Sequence, residues 1–359
     1  LFTNTTGSSN TSMGVSSLRL NTTASNNSAF GMEALKNNTT GGGNTAFSSS
    51  ALKENTTGHS NTAVGYAALA SNTSAIANTA VGRDALYSNT TGQYNTAVGY
   101  QTLDANTTGY ENTVIGRGAL GANTEGYKNT VGGQAAMYAN TTGIDNTAFG
   151  HTALGANTTA NNNSAFGRNA LPANTTGADN TACGSIAMLN NTTGSNNVAF
   201  GRNSLSNNTT GGSNTAVGTS AGDLITTGSN NVCIGEGSDP SSATSNNEFT
   251  LGNTSINHLR CNDTSISSLS DRRDKTEIID LPIGLDFING LKPRKFKWAT
   301  RDGNIKDGKY RAGFIAQELQ ALESSTSVDY LDLVLDDNPD KLEATEGHLF
   351  PVLIKAIQE

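Results

Sequence analysis

The seventeen residues N-T-A-V-G-Y-Q-T-L-D-A-N-T-T-G-Y-E, Asn95–Glu111, decide how this chain is read. Their opening phrase returns every seventeen residues, from Asn10 through Asn27, Asn44 and Asn61 to Asn231, without insertion or deletion. A period that strict means one structural unit copied many times, each resting on its neighbours. Numbering the slots of a repeat from its Asn, slot 4 is apolar (Phe30, Phe47, Val64, Val81, Val98, Ile115, Phe149, Phe166, Phe200, Val217). Slot 5 is Gly except at Ser48, slot 8 is usually Ala, slot 9 is Leu or Met, and slots 12 to 15 read N-T-T-G. Each unit thus holds a short strand, a second apolar contact and a tight polar turn, where Gly fits a positive φ or a close backbone approach. Seventeen residues are too few for a helical hairpin, and Gly and Asn disfavour helix.

Two large apolar side chains cannot offset the ordering entropy of seventeen residues, at roughly 1–2 kcal/mol each. Stacking is the expected remedy: slot 4 on slot 4, slot 9 on slot 9, with Asn side chains in amide ladders. At a strand spacing of ~4.8 Å the stack is expected to extend on the order of 65 Å. The interior predicted this way is thin, so several chains are expected to pack their apolar edges together. The fold class expected is mainly β, a β-solenoid or β-roll-like fibre, followed by a small α+β domain.

Composition divides the chain. Residues 1–240 carry 8 Lys/Arg and 11 Asp/Glu, and residues 241–359 carry 14 and 19. The formal net charge is −8 with no basic stripe, which argues against nucleic acid as a partner. No apolar run approaches the ~20 residues of a membrane span, so no membrane insertion is expected. No metal or cofactor motif is present: Cys183, Cys233 and Cys261 lack ligand spacing and read as small buried hydrophobes. The chain opens at Leu1 and closes within a helix, and is expected to be a fragment. The N-T-T triplets match the glycosylation acceptor pattern but arise from the repeat.

Repeat discipline is expected to end after Gly235. Residues 236–269 read as a neck with strands at Phe249–Gly252 and Ile256–Cys261. From Ser270 the sequence is that of a globular domain, 270–359. Leu285, Ile288 and Leu291 have helix spacing, stopped by Gly290 and Pro293. Phe296 and Trp298 alternate as in a strand, a turn is expected at Asp307–Gly308, and Leu349–Glu359 reads as an amphipathic helix.

The repeat resembles those of phage tail-fibre proteins, and is similar to the shorter-period rungs of trimeric autotransporter adhesin heads. The C-terminal motifs are more specific. S-D-R-R-D-K (Ser270–Lys275), L-K-P-R-K-F-K-W (Leu291–Trp298), G-F-I-A-Q-E (Gly313–Glu318) and P-V-L-I-K-A-I-Q-E (Pro351–Glu359) together resemble the S74 peptidase family. Those domains are intramolecular chaperones at the C-termini of phage tail spikes and fibres. The resemblance implies homotrimerisation, a place on the virion beside other tail proteins, and self-cleavage between Leu269 and Ser270 by a Ser270/Lys275 dyad. Serine needs a base, and lysine serves where burial or a nearby cation, here Arg272 or Arg273, lowers its pKa. Asp274 departs from the apolar residue usual in the family, and a carboxylate there favours protonated lysine and slows cleavage. Gln317 and Glu318 are expected to hold a loop or a subunit contact.

A chaperone domain has a physical purpose here even without cleavage. Similar repeats can mispair by one unit, and a domain that trimerises first sets the register. Slots 6, 7, 10, 11, 16 and 17 vary and are expected to face solvent. Seven of nine Tyr lie there; Tyr66, Tyr94, Tyr100, Tyr110 and Tyr127 are candidates for stacking on sugars of a host-surface receptor, against the alternative that they cover neighbouring rungs. The functional expectation is a phage fibre or spike for host attachment. A bacterial trimeric adhesin is the alternative. An ice-binding solenoid and a polysaccharide-degrading spike fit less well, the first for want of T-x-T arrays and the second for want of paired carboxylates.

Overall fold

The computed structural model describes residues 2–256, 258–260, 271–299, 305–336 and 342–359. It separates into two compact units, Leu1–Asn257 and His258–Glu359.

The first unit is a parallel β-solenoid. Three-residue strands occupy slots 2 to 4 of every coil, from β1 (Thr11–Met13) to β14 (Val232–Ile234) and β15 (Phe249–Leu251). Each pairs in parallel, residue for residue, with the strand seventeen positions away, forming one sheet of fifteen among the described residues. β15 keeps that register, so the stack extends one coil past Gly235 although the consensus letters have gone. Ile256 and residues 258–260 lie in no strand, so the second expected neck strand does not form there. Gly252 instead takes φ +77°, and Ile256 folds back so that its Cγ1 lies 2.4 Å from where a Cβ on Gly252 would be.

The interior differs from the sequence expectation in one respect. Slot 3, not slot 4, points inward: Ala29, Ala46, Ala63, Ala80 and Ala97 are fully buried, whereas Phe47 is 54% exposed and Phe200 50%. Successive strand residues face opposite sides, so an inward slot 3 forces slots 2 and 4 outward. The large apolar slot-4 side chains therefore stack on one another outside the coil, as in Phe149 and Phe166, whose rings are parallel at 5.8 Å. Cys183 sits in this outward row and is half-buried; Cys233, at slot 3, is buried, and that burial pushes its thiol up to about 12. Cys261 lies outside the described residues.

The core of most coils is Leu or Met at slot 9, a small residue, usually Ala, at slots 3 and 8, and two Asn. The two Asn carry the polar accounting. At slot 1, the backbone N–H of each Asn donates to the Oδ1 of the preceding one, as Asn129 does to Asn112 at 3.0 Å. At slot 12, Nδ2 donates to the preceding Oδ1, as Asn123 does to Asn106 at 2.8 Å. Within one coil both amides also donate to a single carbonyl at slot 15: Asn112 and Asn123 each reach Gly126 O at 3.0 Å. This brace ties the strand side of the coil to the turn side. Buried amides so satisfied replace the apolar bulk that the coil lacks. From Asn21 to Asn208 the slot-12 Asn is fully buried, so the folded solenoid offers no glycosylation acceptor at these positions. The next residue forms a third ladder on the surface, Thr107 Oγ1 donating to Thr124 O at 3.1 Å.

One coil breaks the pattern and mends it internally. At slot 9 stands Gly222 instead of Leu, and at slot 12 Ile225 instead of Asn. A Cβ on Gly222 would meet Leu205 Cδ2 at 2.9 Å and Ile225 Cδ1 at 3.4 Å, so Ile225 fills the space left by the missing leucine. The cost is visible one coil away, where Asn208 Oδ1 is, among the described residues, a buried side-chain oxygen without a hydrogen-bond partner. Gly222→Leu alone is expected to overpack and Ile225→Asn alone to leave a cavity, each lowering stability by about 1–3 kcal/mol. The double substitution restores both the ladder and the core. It is expected to melt above either single variant and at or above wild type; additive losses in a double-mutant cycle would contradict this account.

In the second unit, α1 (Leu285–Gly290) leads into β16 (Arg294–Ala299), which pairs antiparallel with β17 (Ile305–Gly313). α2 (Ala316–Thr326), a short pair β18 (Val334–Leu335) and β19 (Glu343–Ala344), and α3 (Leu349–Gln358) follow. The expected turn at Asp307–Gly308 lies inside β17; Gly308 absorbs the irregularity at φ +69°. Phe287, Leu319, Leu331, Leu333, Leu349 and Val352 form the core, joining α1, α2 and α3.

Candidate functional site

The proposed cleavage point has one partner in view. Leu269 and Ser270 lie outside the described residues. Asp271 opens a single 3-10 turn, Arg272–Asp274, its carboxylate accepting from Arg273 N–H at 2.8 Å. The Arg273 guanidinium returns to the same carboxylate at 2.6 Å and holds the Asp271 carboxyl below its ordinary range. That cation, invoked above as a field on the lysine, is engaged by Asp271. Lys275 closes the turn, its N–H donating to Arg272 O at 3.3 Å, with its side chain exposed.

The downstream motifs, separate in sequence, are joined in the fold. Arg294, from L-K-P-R, meets Glu318, from G-F-I-A-Q-E, with Nε to Oε2 at 2.9 Å, a forked ion pair that holds the Glu318 carboxyl low. Glu318 therefore anchors the start of α2 to the start of β16, the loop-holding alternative; Gln317 is exposed. The end of α3 reaches back to α1: Glu359 Oε2 accepts from Leu285 N–H at 2.8 Å, at the first turn of α1. Glu323 was not singled out by sequence, because a lone Glu on a helix reads as solvated. It is 7% exposed, and its Oε1 accepts from Leu333 N–H at 2.8 Å.

Burial pushes the Glu323 carboxyl up, with Asp332, Asp329 and Asp336 adding to the effect. A carboxyl raised on folding favours the protonated form, so its stabilising share is present below the ordinary glutamate range and is lost as pH rises through the folded value. Glu323→Gln keeps the acceptor for Leu333 without the charge. It is expected to raise the melting temperature of the C-terminal unit at pH 7, with the gap closing towards pH 4. A variant less stable than wild type at pH 7 would refute this.

The candidate tyrosines do not form one site. Tyr66 and Tyr100, at slot 6, flank Arg83, whose guanidinium carbon lies 5.7 and 5.8 Å from their ring centres; Arg117 adds a contact to Tyr100 at 6.0 Å. Tyr110 and Tyr127, at slot 16, stack at 4.5 Å and 7°, so each covers its neighbour. Tyr94, at slot 17, is 54% exposed. Tyr66 is the one of these five that lines a groove; its second ring is Tyr87, at slot 10. Among the described residues there is no group of His, Cys, Asp and Glu placed to hold a metal ion, and no helix long and apolar enough to cross a membrane.

Residues 270–327 match the family model of the S74 peptidases, described as the chaperone of endosialidase. No curated protein and no solved structure matches the chain. The matched segment contains the 3-10 turn, the Arg294–Glu318 pair and α2, and it follows a parallel solenoid of seventeen-residue coils. A stacked β shaft followed by a segment that matches the S74 chaperone model fits a phage tail fibre with a C-terminal chaperone.

Proposed function

We propose that the chain is a structural fibre of a phage virion which attaches to the host surface as a homotrimer, its C-terminal unit driving trimerisation. The observation that carries this reading is the outward row at slot 4. Large apolar side chains stand on the surface of coil after coil, among them Phe47, Ile115, Phe149, Phe166 and Phe200, each 42–54% exposed. A row of this length asks for a covering partner. A partner that matches it coil for coil must share its rise, and a further copy of the chain does. α3 supports the same reading, since Phe350 is 67% and Ile357 80% exposed.

Self-cleavage belongs to the proposal. Ser270 Oγ attacks the Leu269 carbonyl carbon as Lys275 takes the hydroxyl proton. The C–N bond breaks, the Ser270 nitrogen leaves as an amine, and water opens the resulting ester to free the Leu269 carboxylate. The reaction runs once per chain, and no external substrate is implied. Native mass spectrometry of the whole protein tests both parts: three chains per particle, each shaft ending at Leu269, with cleavage lost in Ser270→Ala. A monomer at micromolar concentration would remove the trimer, and cutting that survives Ser270→Ala would remove the dyad. Phe149→Glu together with Phe166→Glu is expected to weaken association without unfolding the coils, because both side chains lie outside the coil core.

A further inference from the structure

A groove of ligand size, of about 540 Å³, lies on the solenoid surface. It arises where two slots lose their bulk together. At slots 7 and 10 one coil places Ala67 and Ala70; on one side of Ala70 stands Lys53, and on the other Tyr87. The trough crosses four coils, from Lys53 to Asp104, a length of about 14 Å at the strand spacing. No slot-4 residue lines it, so it is separate from the apolar row.

Its lining combines rings with hydrogen-bonding groups. Tyr66 and Tyr87 are 52% and 45% exposed and present ring surface to the trough. Gln101, Asp84 and Asp104 add an amide and two carboxylates. Much of the charge is already answered. Lys53 Nζ sits 3.0 Å from Glu33, and Asp84 Oδ2 lies 3.2 Å from Arg83 Nε. Asp104 is partly buried, and its carboxyl is pushed up chiefly by that burial, with Asp84 adding to it. An anionic ligand would meet two carboxylates, while the one lysine is engaged elsewhere. Flat C–H faces suit the rings, and hydroxyl donors suit the carboxylate and amide oxygens. Neutral sugars offer both. The coil rise is also close to the length of one hexopyranose unit, so a linear polysaccharide can place successive rings against successive coils.

We propose that this groove, floored by Ala67 and Ala70 and walled by Tyr66, Tyr87 and Asp104, is a binding site for neutral oligosaccharide. The inference rests on the attachment reading for its purpose and names the class of receptor.

The test is titration of the full-length protein with maltohexaose, mannohexaose and chitohexaose, with hexagalacturonate as the anionic counterpart. At least one neutral hexasaccharide is expected to bind with Kd below about 1 mM. Ala70→Tyr, which refills the trough, is expected to weaken that binding at least about tenfold, and Tyr87→Ala about three- to tenfold. Both positions are outside the ladders, and an unchanged melting temperature confirms folding. The proposal is overturned if none of the three binds at about 10 mM, if hexagalacturonate binds as well, or if Ala70→Tyr leaves binding unchanged. Protein that binds a hexasaccharide but adsorbs to no bacterial cell in a panel refutes attachment and leaves the groove. Protein that adsorbs equally with and without Ala70→Tyr and binds no hexasaccharide refutes the groove and leaves attachment.

Discussion

Asn123→Ala is expected to lower the stability of the solenoid by about 2–4 kcal/mol, more than a polar-to-alanine change on any outward slot. Asn123 lies inside the coil, fully buried, and its amide group serves three neighbours. It donates to Asn106 Oδ1 at 2.8 Å and Gly126 O at 3.0 Å, and its own Oδ1 accepts from Asn140 at 2.8 Å. Gly126 O retains Asn112 and Asn140 retains Gly143 O, but Asn106 Oδ1 is left with no donor. The cost is therefore one stranded buried acceptor plus the cavity left by the amide. Each coil touches only its neighbours, so a defect in mid-stack is also expected to separate the melting of the coils on either side. Thermal and urea unfolding followed by circular dichroism would show it. A loss no larger than that of Thr107→Ala, on the surface ladder, would mean that the internal amides contribute little.

Gly82→Ala is expected to cost about 2–4 kcal/mol for a different reason. Gly82 has φ +137°, and a Cβ there would fall 2.2 Å from Gly99 O and 2.6 Å from Gly99 C. Both atoms are backbone of the next coil, so nothing flexible can move aside. Gly118 provides the control. It has φ +60° with nothing within 4 Å of the added carbon, so Gly118→Ala should cost only about 1 kcal/mol, the intrinsic penalty of the left-handed region. The chain contains its own exception at Ser48, which holds φ 128° in the same slot. Ser48→Gly should accordingly raise the melting temperature. Equal losses for Gly82→Ala and Gly118→Ala would place the requirement in φ alone and discard the close approach between coils.

Much of this architecture can be read from the letters. A period of seventeen without insertion fixes the coil, because residues that stack on their own copies must keep one spacing. The Gly of slot 5 and the N-T-T-G turn mark where backbones approach. The motifs around Arg294 and Glu318 are legible as a set, although their ion pair joins residues twenty-four positions apart. The period does not tell which face of a three-residue strand turns inward. Ala at slot 3 and Val or Phe at slot 4 alternate, and hydrophobicity alone favours the larger side chain for the interior. The coil decides otherwise, because its inside is already occupied by the slot-9 leucine and two braced amides, leaving room for a small side chain, alanine in most coils and valine at Val114 and Val131. The last coil, at β15, shows the converse, since its register survives after its consensus is lost. The groove follows the same logic: Ala67 and Ala70 are three residues apart and unremarkable as letters. Only the stack sets them between the lysine and the tyrosine of neighbouring coils, where two missing side chains become one cavity. Sequence determined the repeat, because periodicity is a property of spacing; tertiary structure determined inside from outside, because that depends on volume already filled.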